Sequence, residues 1–242
     1  MGDPFSHIKL ADGTTVNFIK GSGVQVKQEK DGSYSIFNSN STTTITGSAQ
    51  GSNINIIGGK GAVFRGTGEG NDNVKLINTE KAKVYGNNGN DNISVFGGKD
   101  NNVNGGNGND RIYNGSNNAS IDGGNGNDRI FSRGNNNSVQ GGNGWDRMAV
   151  FGNENRVDGG WGNDAIFLRG NFNNVQGGYG NDYMNSFGFG NYNNGGPGFD
   201  MVNGNQFNNF GSQQNFGSHH NHGFYHNHGP HHHRPHGGFF GG

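Results

Sequence analysis

Apolar side chains recur at a fixed interval along most of this chain. From Val74 onward the steps between them are 19, 19 and then 18 residues, and a second apolar set falls about half an interval later. A fixed period of this length is typical of a solenoid in which each repeat is one coil. The pattern predicts two short strands per coil, each with an inward apolar side chain. The first set is Val74, Ile93, Ile112, Ile130, Met148, Ile166, Met184 and Val202, and the second is Val84, Val103, Ile121, Val139, Val157 and Val175.

One aspartate stands two residues before each apolar residue of the first set, and one glycine stands two residues before each aspartate. Glycine permits the left-handed backbone of a tight turn, and aspartate supplies hard oxygen. Carboxylate and turn carbonyl oxygens suit Ca²⁺, which takes about six to eight oxygen ligands. Carboxylates stacked about 4.8 Å apart repel each other unless a cation lies between them. The eight candidate ligands are Asp72, Asp91, Asp110, Asp128, Asp146, Asp164, Asp182 and Asp200.

The clearest repeats read GGNGNDRIY at 105–113 and GGNGNDRIF at 123–131. They resemble the nonapeptide G-G-x-G-x-D-x-U-x of the repeats-in-toxin (RTX) proteins, which bind calcium as a parallel β-roll. The resemblance covers roughly residues 66–204. It implies several Ca²⁺ ions, at most about seven between eight loops. The motif glycines that it assigns to these sites are Gly105, Gly106, Gly108, Gly123, Gly124, Gly126, Gly141, Gly142, Gly144, Gly159, Gly160, Gly162, Gly177, Gly178 and Gly180.

The second half of each coil carries asparagine in place of aspartate. Asn137, Asn155 and Asn173 each stand nine residues after an aspartate. Asparagine tolerates left-handed backbone and hydrogen-bonds locally. Typical RTX rolls carry the aspartate motif on both edges, whereas here we expect metal along one edge and a neutral turn stack along the other. Residues 51–59 align with 134–142, which assigns that segment to the asparagine half.

We therefore predict an all-β protein that consists of a parallel β-roll, or β-solenoid, with coils of 18–19 residues. A small N-terminal β cap covers residues 1–50, the calcium-binding roll covers 51–204, and a disordered, low-complexity tail rich in glycine, asparagine and histidine covers 205–242. Asp12-Gly13 and Asp31-Gly32 lie between β-rich runs and predict two hairpins in the cap. The tail holds nine of the ten histidines. The histidines of the tail either bind a transition metal or make the tail a pH-sensitive segment without a specific metal.

Composition narrows the possible functions. Only 28% of the 242 residues are hydrophobic and 50 are glycine, too little core for a compact globule but enough for a solenoid. The net charge of −1 gives no reason to expect a nucleic-acid partner, and no apolar run is long enough for a membrane span. Neither a phosphate-binding glycine loop nor a nucleophile with its base is evident, so we do not expect an enzyme.

Three surface patterns have alternative interpretations. Arg111, Arg129 and Arg147 directly follow aspartates, and neutralisation of nearby carboxylates is favoured over ligand binding. Loop aromatics in consecutive coils suggest contact with a sugar or another subunit, or else packing at the loop edge. Asparagine pairs around the middle glycine loosely resemble the loop array of calcium-dependent RTX ice-binding adhesins. The aromatics are Trp145, Trp161 and Tyr179, and the pairs are Asn88/Asn90, Asn107/Asn109 and Asn125/Asn127.

The sequence favours a secreted calcium-binding structural protein of a cell surface, matrix or filament, which folds on Ca²⁺ and self-associates. The chain has no cysteine, in keeping with folding on calcium outside the cell. Its start does not resemble a signal peptide. The RTX resemblance implies export by a route that needs none. The alternatives are a module that recognises cell-surface glycan or ice through the outward loops, and a calcium-folded piece of a larger export protein or adhesin.

Overall fold

The structure is a computed structural model that describes residues 5–37, 40 and 42–204. Every regular element in this part of the chain is a β-strand. The first strands are β1 (Phe5–Lys9), β2 (Thr15–Ile19), β3 (Gln25–Gln28), β4 (Tyr34–Phe37) and β5 (Thr44–Thr46). The strands of the coils are β6 (Asn53–Ile57), β7 (Val63–Arg65), β8 (Asn73–Ile77), β9 (Lys83–Asn88), β10 (Asn92–Lys99), β11 (Asn102–Asn107), β12 (Arg111–Asn117), β13 (Ser120–Asn125), β14 (Arg129–Arg133), β15 (Ser138–Asn143), β16 (Arg147–Phe151), β17 (Arg156–Trp161), β18 (Ala165–Arg169), β19 (Asn174–Tyr179), β20 (Tyr183–Phe187), β21 (Tyr192–Asn194) and β22 (Met201–Gly204).

These strands form two sheets of 11 strands each. Sheet A has the order β1-β2-β5-β7-β9-β11-β13-β15-β17-β19-β21, and sheet B has the order β22-β20-β18-β16-β14-β12-β10-β8-β6-β4-β3. From β5 onward the chain alternates between the sheets, and each strand pairs in parallel with its counterpart one coil away. The predicted parallel β-solenoid is therefore confirmed. Its first coils are longer than expected, because Tyr34 pairs with Ile54 and Ile54 with Val74, 20 residues apart.

Both hairpins predicted near the N-terminus are present. β1 pairs with β2 and β3 with β4 in antiparallel fashion, and Gly13 and Gly32 take positive φ angles of 94° and 83° in the two turns. β2 then pairs antiparallel with β5. The hairpins thus form the N-terminal edges of both sheets, where a solenoid would otherwise expose unpaired strand groups. The parallel pairing of the solenoid begins at β4 and β5, because β4 pairs with β6 and β5 pairs with β7.

The core is a file of inward side chains between the two sheets. Both predicted apolar sets point inward and are buried, with only Val202 of the last coil partly exposed. Each sheet-B strand contributes a further inward residue two positions later, which the sequence reading did not identify. In the sheet-A strands that contain the repeated motif, the first glycine of the motif occupies the corresponding inward position, for example Gly141. The additional sheet-B file is Leu76, Val95, Asn114, Ser132, Val150, Leu168 and Ser186.

Two of the predictions from the sequence concern segments outside the central coils. The assignment of residues 51–59 to the asparagine half is wrong, because β6 lies in sheet B and the backbone N–H of Ser52 donates to Asp72 at the aspartate edge. The tail at 205–242, with its proposed metal-binding histidines, lies outside the described residues. Among the described residues, no helix is long and apolar enough to cross a membrane.

Candidate cation site along the aspartate edge

The eight predicted aspartates form one column along one edge of the solenoid. Each lies where the chain leaves a sheet-A strand and enters a sheet-B strand, as Asp146 does between β15 and β16. The seven aspartates from Asp72 to Asp182 are at most 2% exposed, whereas Asp200 in the last coil is half-buried. The parallel register stacks them directly above one another.

One oxygen of each carboxylate holds two coils together. Asp128 donates its backbone N–H to Oδ1 of Asp146, and every other member of the column accepts the same bond from the coil before it, at 2.6 to 2.9 Å. Ser52 begins the ladder by donating its N–H to Asp72. Because backbone groups buried away from water need partners, these bonds fix the column independently of any ion.

The second oxygen of each buried carboxylate is unsatisfied. Within the described chain, Oδ2 of all seven aspartates from Asp72 to Asp182 is buried without a hydrogen-bond partner. A Cβ atom at Gly141 would collide both with Asp146 Oδ2 and with the carbonyl oxygen of Gly159 in the next coil. Carboxylate and carbonyl oxygens therefore converge beside a space that only glycine leaves open. This set of hard oxygen atoms fits Ca²⁺.

The motif glycines have two different roles. The second and third, such as Gly142 and Gly144 with φ of 113° and 136°, adopt the left-handed backbone that the sequence predicts for a turn. The first, such as Gly141, has no positive φ and instead makes room for the aspartate side chain. Spacing alone did not separate these roles, because both require the absence of a Cβ atom.

Burial strongly opposes ionisation of the column. Desolvation raises the pKa of Asp72, Asp110, Asp146 and Asp164 from 3.8 to about 6, and the pKa of Asp91, Asp128 and Asp182 to about 7. The folded state therefore disfavours the ionised carboxylates, and a proton or a cation at Oδ2 would relieve this penalty.

The opposite edge supplies a neutral counterpart. Asn155 accepts a hydrogen bond of 2.8 Å at Oδ1 from the backbone N–H of Asn137, as the aspartates do from theirs. The amide nitrogen of Asn173 donates to the carbonyl oxygen of Gly152 at 3.1 Å. Asn137 and Asn191 also donate from Nδ2 to backbone carbonyl oxygens, whereas Nδ2 of Asn155 is buried without a hydrogen-bond partner among the described residues. The two edges share a backbone arrangement but differ in charge, as predicted for the asparagine half.

The three predicted surface patterns have different outcomes. Arg111, Arg129 and Arg147 stack in register, as expected. Neutralisation by ion pairing is not observed, because the described residues form only two ion pairs up to 4.0 Å, Lys27–Glu29 and Lys99–Glu80. Like charges directly opposite one another destabilise a sheet. The arginine column is therefore unfavourable for stability, and no acidic side chain of the described chain forms an ion pair with it.

The loop aromatics do not form one row. Trp161 and Tyr179 stack at 4.4 Å between ring centroids and 17° between ring planes. Trp145 belongs to another column, in which its backbone N–H donates to Oδ1 of Asn127. The outer asparagines are bonded between coils, for example Asn125 to Asn107 at 2.6 Å. They stabilise coil stacking and are not a free array of amides.

Sequence reasoning missed an aromatic row on the outer face of sheet B. Its side chains lie one or three residues after the inward apolar residue, so the strand alternation could have revealed them. Adjacent ring centroids are 5.2 to 5.8 Å apart. The row is Phe96, Tyr113, Phe131, Phe151, Phe167 and Phe187.

Within the described residues, no three histidine, cysteine, aspartate or glutamate side chains are grouped closely enough to hold one metal ion. A cation at the aspartate edge would therefore depend on backbone carbonyl oxygens as well as on carboxylates. Neither the protein-family models, nor the curated proteins, nor the solved structures that were compared include a match to this chain. The similarity to RTX proteins consequently rests on the repeated motif and on the parallel coils.

Proposed function

We propose that this chain is a secreted structural solenoid that folds on calcium, as the RTX resemblance implies. The observation that supports the proposal is the column of seven buried aspartate Oδ2 atoms without hydrogen-bond partners. Aspartates of successive coils and carbonyl oxygens of the motif glycines would hold the ions. Bound calcium would supply the positive charge that the buried carboxylates need above neutral pH.

The donor set favours calcium over other common metals. Among the described residues, no thiolate or imidazole ligand, which zinc and copper prefer, contributes to this edge. Magnesium requires a tight octahedral arrangement and gives up water reluctantly, so carbonyl-rich loops suit it poorly. Binding free energy would appear as folding free energy, because the unfolded chain has no preformed site. Such a chain would remain unfolded at low cytosolic calcium and fold outside the cell.

A structural role follows from the shape of the candidate site. The ions would lie along the whole edge and stabilise every coil, rather than mark one position for a substrate. We therefore propose a surface, matrix or filament protein and no enzymatic activity. Self-association is the accompanying partner proposal.

Calcium titration of chelated protein tests the proposal. Circular dichroism should show a gain of β-structure, and isothermal titration calorimetry should show several ions bound, with magnesium much less effective. The matched control is Asp158→Asn, which removes a carboxylate from the outer face of sheet A and should leave the number of bound ions unchanged. A chain that stays fully folded in chelator at pH 8 and binds no calcium would overturn the proposal.

A glycan-binding module is the second candidate, supported by the stacked Trp161 and Tyr179 side chains. These rings are 61% and 52% exposed and form a flat apolar surface of the kind that packs against sugar rings. Trp161→Ala should abolish binding to cell-surface polysaccharide in affinity electrophoresis. Trp145→Ala, which removes an equally exposed but unstacked ring, should not. Ice binding is less well supported, because the outer amides bond to one another.

A further inference from the structure

The outer face of sheet B carries an apolar ridge. The aromatic row from Phe96 to Phe187 spans six coils and is divided between two neighbouring columns of outward side chains. Phe96, Phe167 and Phe187 are between 38% and 50% exposed. A contiguous exposed apolar strip of this length is typical of a surface that contacts another molecule.

The same face is cationic. Outward arginines flank the ridge, and the sheet-B strands from β8 to β20 contain no aspartate or glutamate. Arg133 and Arg169 occupy one column, on either side of Phe151. They therefore lie two coils apart, about 9.5 Å by strand spacing. The guanidinium of Arg133 also lies 5.7 Å from the ring centre of Phe131.

The outer face of sheet A has the opposite form, and one of its columns carries negative charge beside a column that contains the exposed Arg156. A column of glycines forms the floor of a groove, with Asn107, Asn125, Asn143 and Trp161 along one side and a column that contains Asp122, Gln140 and Asp158 along the other. Asp122 and Asp158 are two coils apart, as Arg133 and Arg169 are. The floor glycines are Gly106, Gly124, Gly142, Gly160 and Gly178.

The order of columns matches across the two faces. Sheet-A strands run toward the aspartate edge and sheet-B strands run away from it. Counted from that edge, sheet A presents asparagines, then glycines, then the Asp122–Asp158 column. Sheet B presents the Arg111–Arg147 column, then the column of Phe131 and Phe167, then the Arg133–Arg169 column.

We propose that sheet B of one copy packs on sheet A of the next, with solenoid axes parallel and aspartate edges aligned. The column of Phe131 and Phe167 then faces the glycine floor, where exposed backbone accommodates aromatic rings. Arg133 and Arg169 face Asp122 and Asp158. This arrangement rests on the structural role proposed above and specifies the surface through which copies associate.

The contact would repeat without closing. Its two sides are different surfaces of the same chain, so pure translation adds copies indefinitely, with the facing sheets of neighbouring copies about 10 Å apart. Six strands at about 4.8 Å and five residues at about 3.3 Å cover roughly 500 Å² on each copy. The total of roughly 1,000 Å² is at the lower limit for a specific interface, so each contact should be weak and association should depend on concentration.

Paired charge reversals test this arrangement by sedimentation velocity in saturating calcium. Arg133→Glu/Arg169→Glu makes both of the facing columns acidic, and Asp122→Lys/Asp158→Lys makes both of them basic. Each double variant alone should sediment as a monomer at a concentration where the wild type forms oligomers. The two double variants mixed should oligomerise, and so should the quadruple variant, whose charges are exchanged between the faces.

Other occupants of the faces would give different results. An isologous contact of sheet B with sheet B would be lost in the arginine variant but unchanged in the aspartate variant, and the quadruple variant would not be rescued. If sheet B binds an anionic polymer instead, purified wild type would be monomeric and only the arginine variant would lose binding to heparin-Sepharose. Either outcome overturns the proposal. Calcium stoichiometry, measured on the same samples, reports separately on the aspartate edge.

Discussion

Asp146 accepts a hydrogen bond of 2.8 Å at Oδ1 from the backbone N–H of Asp128, while its Oδ2 stays buried without a hydrogen-bond partner. The bonded oxygen needs no ion, and the other oxygen needs a proton or a cation. Since Asn155 repeats the bonded half of this arrangement with a neutral amide, the effect of removing the charge should depend on calcium.

Asp146→Asn should have opposite effects in the two conditions. In saturating calcium the variant removes one charge next to two neighbouring sites, and we expect a loss of about 1–3 kcal/mol in the free energy of unfolding. In chelator the amide replaces a buried charge, so we expect a gain of similar size. Urea denaturation followed by circular dichroism measures both, at the highest pH where chelated wild type still folds. Destabilisation of equal size in both conditions would contradict a cation at this edge.

Asn155→Asp should be destabilising whether or not calcium is present. It introduces a carboxylate at a position that is 1% exposed, on the edge where we expect no metal. The expected loss is about 2–3 kcal/mol at pH 8. Asn153→Asp, an exposed change in the same loop, is the matched control and should cost little. Rescue of Asn155→Asp by calcium would show that both edges can bind ions.

Gly141→Ala tests the steric role of the first motif glycine. The added methyl group would collide with Asp146 Oδ2 and with the backbone of the next coil, so we expect a loss of at least about 2 kcal/mol and weaker calcium binding. Gly115→Ala is the matched control in sheet B, because its nearest neighbour would be 3.3 Å from the new Cβ atom and its φ is not positive. Equal loss in both variants would mean that the space beside Asp146 has no special importance.

The sequence predicted the repeating architecture because each coil obeys the same local rules. Inward residues such as Ile130 and Val139 alternate with outward ones, and the Asp-Gly pairs at 12–13 and 31–32 specify hairpin turns. The difference in charge between the two edges was also predictable, because aspartate and asparagine occupy different positions of the repeat. These features depend on spacing along the chain, which the parallel register converts directly into columns.

Features that depend on neighbouring coils were not predictable in the same way. Ser52 takes the aspartate position, and the glycines at 58–59 resemble Gly141 and Gly142 although they follow a sheet-B strand, so the alignment selected the wrong edge. By contrast, spacing alone could have separated Trp145 from Trp161, because Trp145 stands one residue before Asp146 and Trp161 stands three residues before Asp164. Whether Arg129 reaches a carboxylate depends on side-chain direction, which the period does not determine.

The pH dependence of the chelated protein should be the reverse of ordinary acid denaturation. Burial raises the pKa of Asp146 and Asp164 from 3.8 to about 6, and that of Asp128 and Asp182 to about 7. The folded state therefore binds protons more tightly than the unfolded state. The stability that protonation confers is complete below about pH 4 and is lost as pH rises through 6 to 7.

Calcium should invert this slope. Ions bind the deprotonated carboxylates, so the stability gained from saturating calcium should increase from pH 5 to pH 8. Thermal unfolding at each pH, with calcium and with chelator, gives two curves that should meet at low pH, where the column is protonated, and diverge as pH rises through 6 to 7. Asp128→Asn/Asp146→Asn should flatten both curves, whereas Asp122→Asn, on the outer face of sheet A, should flatten neither to the same extent. A separation between the two curves that does not change with pH would mean that proton and calcium do not compete for this column, and the buried Oδ2 atoms would then need a different partner.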